Sequence, residues 1–482
     1  MKPKKINFAS IQLLTGIFLI IFSSCSESSQ TTKEAAPNNP MAALLLQRET
    51  ELASIPSPYI VDDNKIKEIR EMIKTSDTGR ALEARFYLAK NLLFYGDAEG
   101  SIRELESLMA DINELNVNLP PKQLSLFFNT LGLSYLRLGE ELNCVDNANE
   151  ATCIIPIAKD GIHTIKSASE AAVSNFEFAL QVNPQDYETM WLLNLAHMTL
   201  GSYPEGVQKE YLIDPSKFKN DNNFPKFLNQ GIKSGAGDNR LSGGCVIEDF
   251  NLDGYLDIMV SSWGNKDPLK VYINKGDGTF ELMPEQENLR GIFGGLNMVS
   301  TDYNNDGYID VLVLRGAWLS RKGCLPNSLL KGNGDGTFED VTLVAGLTGM
   351  FPTQAAVWTD IDLDGNIDLF IGNENQSNEN FASEFYYNNG DGTFTNIASK
   401  LGLDITIWVK GCSAGDVNND GFNDLFVSNF KGDNYLFIHN GATEIDKIKF
   451  TNQAKERGVD QPFSSFSTWF LILIRMGMMI SF

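Results

Sequence analysis

Four stretches of the chain place oxygen-bearing side chains at one repeated spacing. They read D-F-N-L-D-G-Y-L-D from Asp249, D-Y-N-N-D-G-Y-I-D from Asp302, D-I-D-L-D-G-N-I-D from Asp360 and D-V-N-N-D-G-F-N-D from Asp416. Positions 1, 3, 5 and 9 are Asp249, Asn251, Asp253 and Asp257 in the first, and Asp302, Asn304, Asp306 and Asp310 in the second. They are Asp360, Asp362, Asp364 and Asp368 in the third, and Asp416, Asn418, Asp420 and Asp424 in the fourth. Calcium is a hard cation that takes roughly six to eight oxygens, and this spacing wraps a short loop around one ion. The main-chain carbonyl of position 7, at Tyr255, Tyr308, Asn366 and Phe422, would add a ligand. Glycine at position 6 allows the sharp turn, because it takes positive φ at little cost. The expectation is Ca2+ at about four sites.

The residues after each loop decide which calcium motif this is. An EF-hand needs a glutamate at position 12 and an exiting helix. Position 12 is Val260, Val313, Ile371 and Val427, inside short β-branched and aromatic runs that read as strands. The EF-hand is therefore rejected, and each loop feeds a strand. The loops recur about every 55 residues, a period that suits propeller blades built of short strands. Further along each repeat, Asn274–Phe280, Asn333–Phe338 and Asn388–Phe394 carry G-D-G-T-F, a tight hairpin signal, which decays at Asn440-Gly441-Ala442. Together these loops and hairpins resemble FG-GAP or VCBS repeats, the calcium-bearing blades of integrin-α-like propellers.

Elements that must carry the blades lie before them. Residues 61–212 are helical in pattern: Ala81, Leu82, Phe86, Leu88, Ala89, Leu92 and Leu93 recur at helix spacing, and Gly96-Asp97 ends the run. Leu131-Gly132 with Tyr135, and later Ala172, Phe176 and Ala179, look like the two helices of one tetratricopeptide repeat split by an insertion. Residues 213–240 read as a linker and 241–470 as four blades. The predicted fold is thus α + β and multidomain: a helical TPR-like domain followed by an incomplete calcium-binding β-propeller. The runs Cys153–His163 and Trp191–Gly201 resemble the N-terminal region of bacterial cartilage-acidic-protein-like lipoproteins. Members of that family usually carry more repeats and a C-terminal ASPIC/UnbV domain, so the resemblance implies a C-terminally truncated chain.

Lys2, Lys4 and Lys5, an apolar run from Ile11 to Phe22, and Ser23-Ser24-Cys25 form a secretory leader. The cysteine at the cut resembles a lipobox, so residues 1–25 are read as a lipoprotein signal peptide with lipidation at Cys25, and 26–60 as a tether. An oxidising compartment would permit a disulfide between Cys144 and Cys153. Cys245 and Cys412, each four residues before a loop, read as small buried strand residues, and His163 and His197 as core or surface residues and not ligands. The formal net charge of −23 argues against nucleic acid as a partner.

Residues 471–482 break the pattern where a fifth loop is due. Methionine has a single codon, ATG, and glycine is GGN, so joining the last base of each codon to the next two recovers part of another frame. There Met476-Gly477 reads glycine, while Met478-Met479 and Met479-Ile480 read aspartate. The hidden frame runs D-x-D-x-D-G-x-D-D, and the tail is expected to be the product of a frameshift. Sequencing across these codons and finding no open continuation in that frame would remove the idea.

The expected function is an extracytoplasmic, lipid-anchored calcium-binding repeat protein of the bacterial outer membrane, acting as a binding, adhesion or scaffold module for a protein or glycan. No nucleophile elbow, zinc signature or phosphate loop marks it as an enzyme. The alternatives are an enzyme accessory or a propeller-rim enzyme, and a nonfunctional truncated product.

Overall fold

The computed structural model describes residues 39–55, 63–145, 149, 151–152, 154–219, 227, 229–238, 240–264, 267–376, 379–473 and 478–481. Cys25, Cys153 and the leader lie outside them, and so does the Cys144–Cys153 pairing as a whole.

The chain opens with helix α1 (Pro40–Leu52), inside the stretch expected to be tether. Asn39 caps it by accepting the N–H of Met41, and Pro40 sits in the first turn, where its missing N–H costs nothing. Its buried face of Met41, Ala42 and Leu45 packs on Ile292 and Phe293 of the blade half, and Arg48 donates to the Cys324 carbonyl. An N-cap before M-A-A-L-L-L is the local signal for this helix.

Helices α2 (Asp63–Thr75), α3 (Thr78–Tyr95), α4 (Ala98–Glu114), α5 (Pro121–Glu140), α6 (Ser167–Val182) and α7 (Tyr187–Leu200) each pack on the next in chain order. The two runs split by an insertion are α5 and α6, and they form the most extensive helix pair. A Cβ at Gly132 would lie 2.7 Å from the Phe176 ring, so glycine is what lets the two helices approach. His163 and His197 are buried polar core, held by Ser169 and Ser202. A short α8 (Gly231–Ser234) precedes the blades.

Beyond it come four four-stranded antiparallel sheets, each a meander in chain order. The first is β1 (Cys245–Glu248), β2 (Asp257–Val260), β3 (Lys270–Asn274) and β4 (Phe280–Leu282). The second is β5 (Asn297–Thr301), β6 (Asp310–Leu314), β7 (Ser328–Gly332) and β8 (Phe338–Asp340). The third is β9 (Thr353–Thr359), β10 (Asp368–Asn373), β11 (Glu384–Asn388) and β12 (Phe394–Asn396). The fourth is β13 (Val409–Gly415), β14 (Asp424–Asn429), β15 (Tyr435–His439) and β16 (Phe450–Asn452). The first strands β1, β5, β9 and β13 lie side by side, which makes the sheets blades around a shared line.

Blades stack through equivalent rows. Val246, Met259 and Val271 of the first meet Met298, Val311, Val313 and Leu330 of the second, and two further cores repeat the arrangement. In the second to fourth blades the strand after the loop is buried along its whole length, whereas β2 alternates: among the described residues no sheet covers the outer face of the first blade, while Ala454 and Val459 pack on that of the fourth. Cys245 sits on that face and is exposed, against the expectation of a buried thiol, while Cys412 is half-buried. The tail forms a hairpin of β17 (Phe470–Leu473) and β18 (Met478–Ser481), with β17 beside β13, continuing the series of first strands.

Candidate metal centre

Each loop joins the first two strands of its blade and therefore lies at one end of it. The G-D-G-T hairpin joins the last two strands and returns to the same end: Gly276 packs on Tyr255, Gly334 on Tyr308 and Gly390 on Asn366. Two turns built from glycine and aspartate thus face each other in the first three repeats. Position 6 has φ of 89°, 86°, 89° and 91° in Gly254, Gly307, Gly365 and Gly421. Position 4 is also left-handed, at Leu252, Asn305, Leu363 and Asn419, which the spacing does not reveal.

The same hydrogen bonds recur in every copy. The position-6 N–H donates to the first aspartate: Gly254 to Asp249 at 2.8 Å, Gly307 to Asp302 at 2.8 Å, Gly365 to Asp360 at 3.0 Å and Gly421 to Asp416 at 2.8 Å. The position-7 N–H donates to position 5: Tyr255 to Asp253, Tyr308 to Asp306, Asn366 to Asp364 and Phe422 to Asp420. Position 3 turns its oxygen inward, where Asn251, Asn304, Asp362 and Asn418 accept the N–H of position 5.

Position 9 does a second job. Asp257, Asp310, Asp368 and Asp424 are buried, and each uses one oxygen for the position-2 N–H and the other for an N–H at the end of the third strand. Those second donors are Asn274, Gly332, Asn388 and His439, at 2.8 to 2.9 Å. The carboxylate pins loop to strand and still has lone pairs to offer. Burial pushes Asp310 and Asp368 up to about 7, and neighbouring carboxylates add to the rise while the backbone donors oppose it. Asp257 and Asp424 shift the same way, again chiefly through burial. A divalent cation among these groups would offset that cost.

The third loop fits a cation best. It alone has aspartate at position 3, and Asp360, Asp362 and Asp368 bring one carboxylate oxygen each within 4.8 Å of one another. In the other three loops the first aspartate also accepts the position-5 N–H, through Asp249, Asp302 and Asp416. In the third loop Asp364 N–H bonds Asp362 instead, and Asp360 Oδ1 is left buried with no hydrogen-bond partner. A carboxylate with an orphaned oxygen, grouped with two more carboxylates, is the donor set a hard cation completes. The oxygens of positions 1, 3, 5 and 9 would hold it, and its charge would bind loop to strand.

Loops also touch the next blade. Gly336 N–H donates to the Phe250 carbonyl, Asn388 Nδ2 to the Tyr303 carbonyl at 2.8 Å, and Asn305 Nδ2 to the Gly365 carbonyl at 3.1 Å. A cation that stiffens one loop therefore stiffens a contact between blades.

Residues 249–313 and 360–427 match the FG-GAP-like repeat family. Two stretches of the chain are FG-GAP-like repeats. A curated relative, cartilage acidic protein 1 of Xenopus tropicalis, is 34% identical over 91 residues, which are 19% of this chain and 13% of the relative. The chain thus matches well under two thirds of that relative's length.

Sequence reasoning misses a second cluster of ionisable groups. Lys410 pairs with Glu374, both side chains fully enclosed, and its ammonium also reaches Gln354 Oε1 at 3.0 Å. It lies 3.2 Å from the centre of the Trp318 ring, among Trp408, Phe430 and Phe466. Burial pulls Lys410 down to about 8, and Glu374 opposes the fall. With carboxylate, amide and ring all engaged, the ammonium is a tie between blades.

Proposed function

We propose that this chain is a calcium-stabilised binding or scaffold module of the bacterial cell envelope, anchored by lipid at Cys25 and not itself an enzyme. The observation that carries the calcium reading is that Asp360, with its Oδ1 buried and without a hydrogen-bond partner, brings a carboxylate oxygen within 4.8 Å of those of Asp362 and Asp368. Calcium acts structurally here. Its ligands pin loops to strands, and the blades present a rigid surface to a protein or glycan. The net charge of −23 supports an extracytoplasmic, calcium-rich setting over nucleic-acid binding. The helical half, stacked in chain order, supports a TPR-like adaptor that carries the blades.

Calorimetric titration of the full chain with calcium tests the ion. Uptake with a rise in melting temperature is expected. Absence of uptake, with melting unmoved by chelator, rejects the reading. Palmitate labelling that is lost in Cys25→Ala tests the anchor, and a pull-down from outer membranes tests the partner class.

A further inference from the structure

We infer that the four loops take up calcium unequally and that Lys331 makes the loop from Asp302 the last to fill; the inference rests on the calcium reading above. Lys331 is the penultimate residue of β7, just before Gly332, whose N–H is held by Asp310. From there its ammonium reaches Asp306 Oδ2, at position 5 of the loop, at 3.0 Å. The same oxygen accepts Asn304 Nδ2 at 3.0 Å, so one calcium ligand already serves an internal cation and an amide.

The equivalent residue in the third blade is Tyr387. Its hydroxyl donates to Asp362 Oδ2 at 3.0 Å and adds no charge. In the first and fourth blades the position holds Ile273 and Ile438. These residues set the formal charge at each loop. Three carboxylates give −3 at the loops from Asp249 and Asp416, and four give −4 at the loop from Asp360. Three carboxylates with one ammonium leave −2 at the loop from Asp302. Affinity in such loops rises with the charge of the ligand set. The order of filling is therefore the Asp360 loop first, the Asp249 and Asp416 loops next, and the Asp302 loop last. Lys331 is partly exposed, so its ammonium can leave for solvent when calcium enters. It sets a threshold and does not seal the site.

The test is calorimetric titration of the full chain with calcium alone, comparing wild type with Lys331→Met, Lys331→Arg and Asp362→Asn. Lys331→Met keeps the apolar stem and should tighten the weakest binding step about ten-fold. Lys331→Arg should leave that step in place, and Asp362→Asn should weaken the tightest one. Melting in chelator confirms that each variant is folded, with Lys331→Gln replacing the Met variant if it is not. An unchanged weakest step in the folded variant that lacks the ammonium overturns the inference while calcium uptake stands. No uptake by the wild type would bring down the calcium reading itself.

Discussion

Between α5 and α6 the contact is apolar and close, with Gly132 against Phe176 and with Leu136, Ala172 and Leu180 wholly buried. Several buried polar side chains in that half pair locally: Ser101 with Ser134, Asn129 with Thr189, and Asn194 with the Tyr211 carbonyl, while His197 Nε2 is left without a partner. The blades have apolar cores of the same kind, yet one end of each carries three or four carboxylates, one of them buried in three of the loops and two in the loop from Asp360. Such carboxylates repel one another and lose hydration on burial, and backbone N–H groups return only part of that cost. The difference teaches that the helical half is held by apolar and neutral polar contacts, whereas the blade half has a charge problem that a divalent ion would resolve.

Removing the ion is the strongest way to break the comparison. A site held at about a hundred times its dissociation constant stabilises by about 2.7 kcal/mol. Several such sites together reach the whole stability of an ordinary domain, about 5–15 kcal/mol. Chelator should therefore bring fast amide exchange to β2, β6, β10 and β14 while α3 to α6 keep their protection, as read by hydrogen exchange with mass spectrometry. Equal loss in both halves would erase the distinction.

The converse lesion is Phe176→Ala. It empties the α5–α6 contact and should cost the helical half about 3–5 kcal/mol. Calcium uptake should be unchanged. A variant that also lost calcium affinity would show that the halves are coupled through more than α1 and the residues before β1.

Protons give a smaller effect of defined sign. Asp310 and Asp368 have folded values raised to about 7, above the unfolded carboxylate range near 4. Such groups favour the folded state while protonated, and that contribution is lost as pH rises from about 4 through about 7. In chelator the blades should be more stable at pH 5 than at pH 8, by about 2 kcal/mol after allowance for solvent, as read from melting. With saturating calcium the order should reverse, because protons and the ion compete for the same oxygens.

How much could be read in advance depends on how local each signal is. The four loops, the strands after them and the hairpin turns are written within nine or ten residues, and each appears where its spacing places it. The helices α5 and α6, expected to pair across a long insertion, do pack together, with Gly132 against Phe176. The remaining features depend on pairings that spacing does not encode. The burial of Met41, Ala42 and Leu45 needs Ile292 and Phe293, about 250 residues away. The burial of Lys410 depends on Glu374 and Trp318, which lie in other blades. Lys331 lies 25 residues beyond Asp306, on another strand, and nothing in the loop pattern points to it. Cys245 departs from expectation because its equivalents in later blades are covered by a preceding blade, and among the described residues none precedes the first.

The smallest test concerns position 4, where the loops differ in kind. Asn305 and Asn419 occupy the left-handed region with φ of 57°, and Leu252 and Leu363 do so with φ of 59° and 61°. Asparagine enters this region readily, whereas leucine is strained there by contact of Cβ with the following carbonyl, at about 1–2 kcal/mol. Both leucines are more than half exposed, so little burial is lost in replacing them. Leu363→Asn should stabilise the blade half by about 0.5–1 kcal/mol without any change in ligand set. The effect should appear in chelator as well as in calcium, since it relieves backbone and not charge. If the gain appears only with the ion bound, the left-handed residue belongs to the bound loop alone, and the unloaded blade half is less ordered than its hydrogen bonds imply.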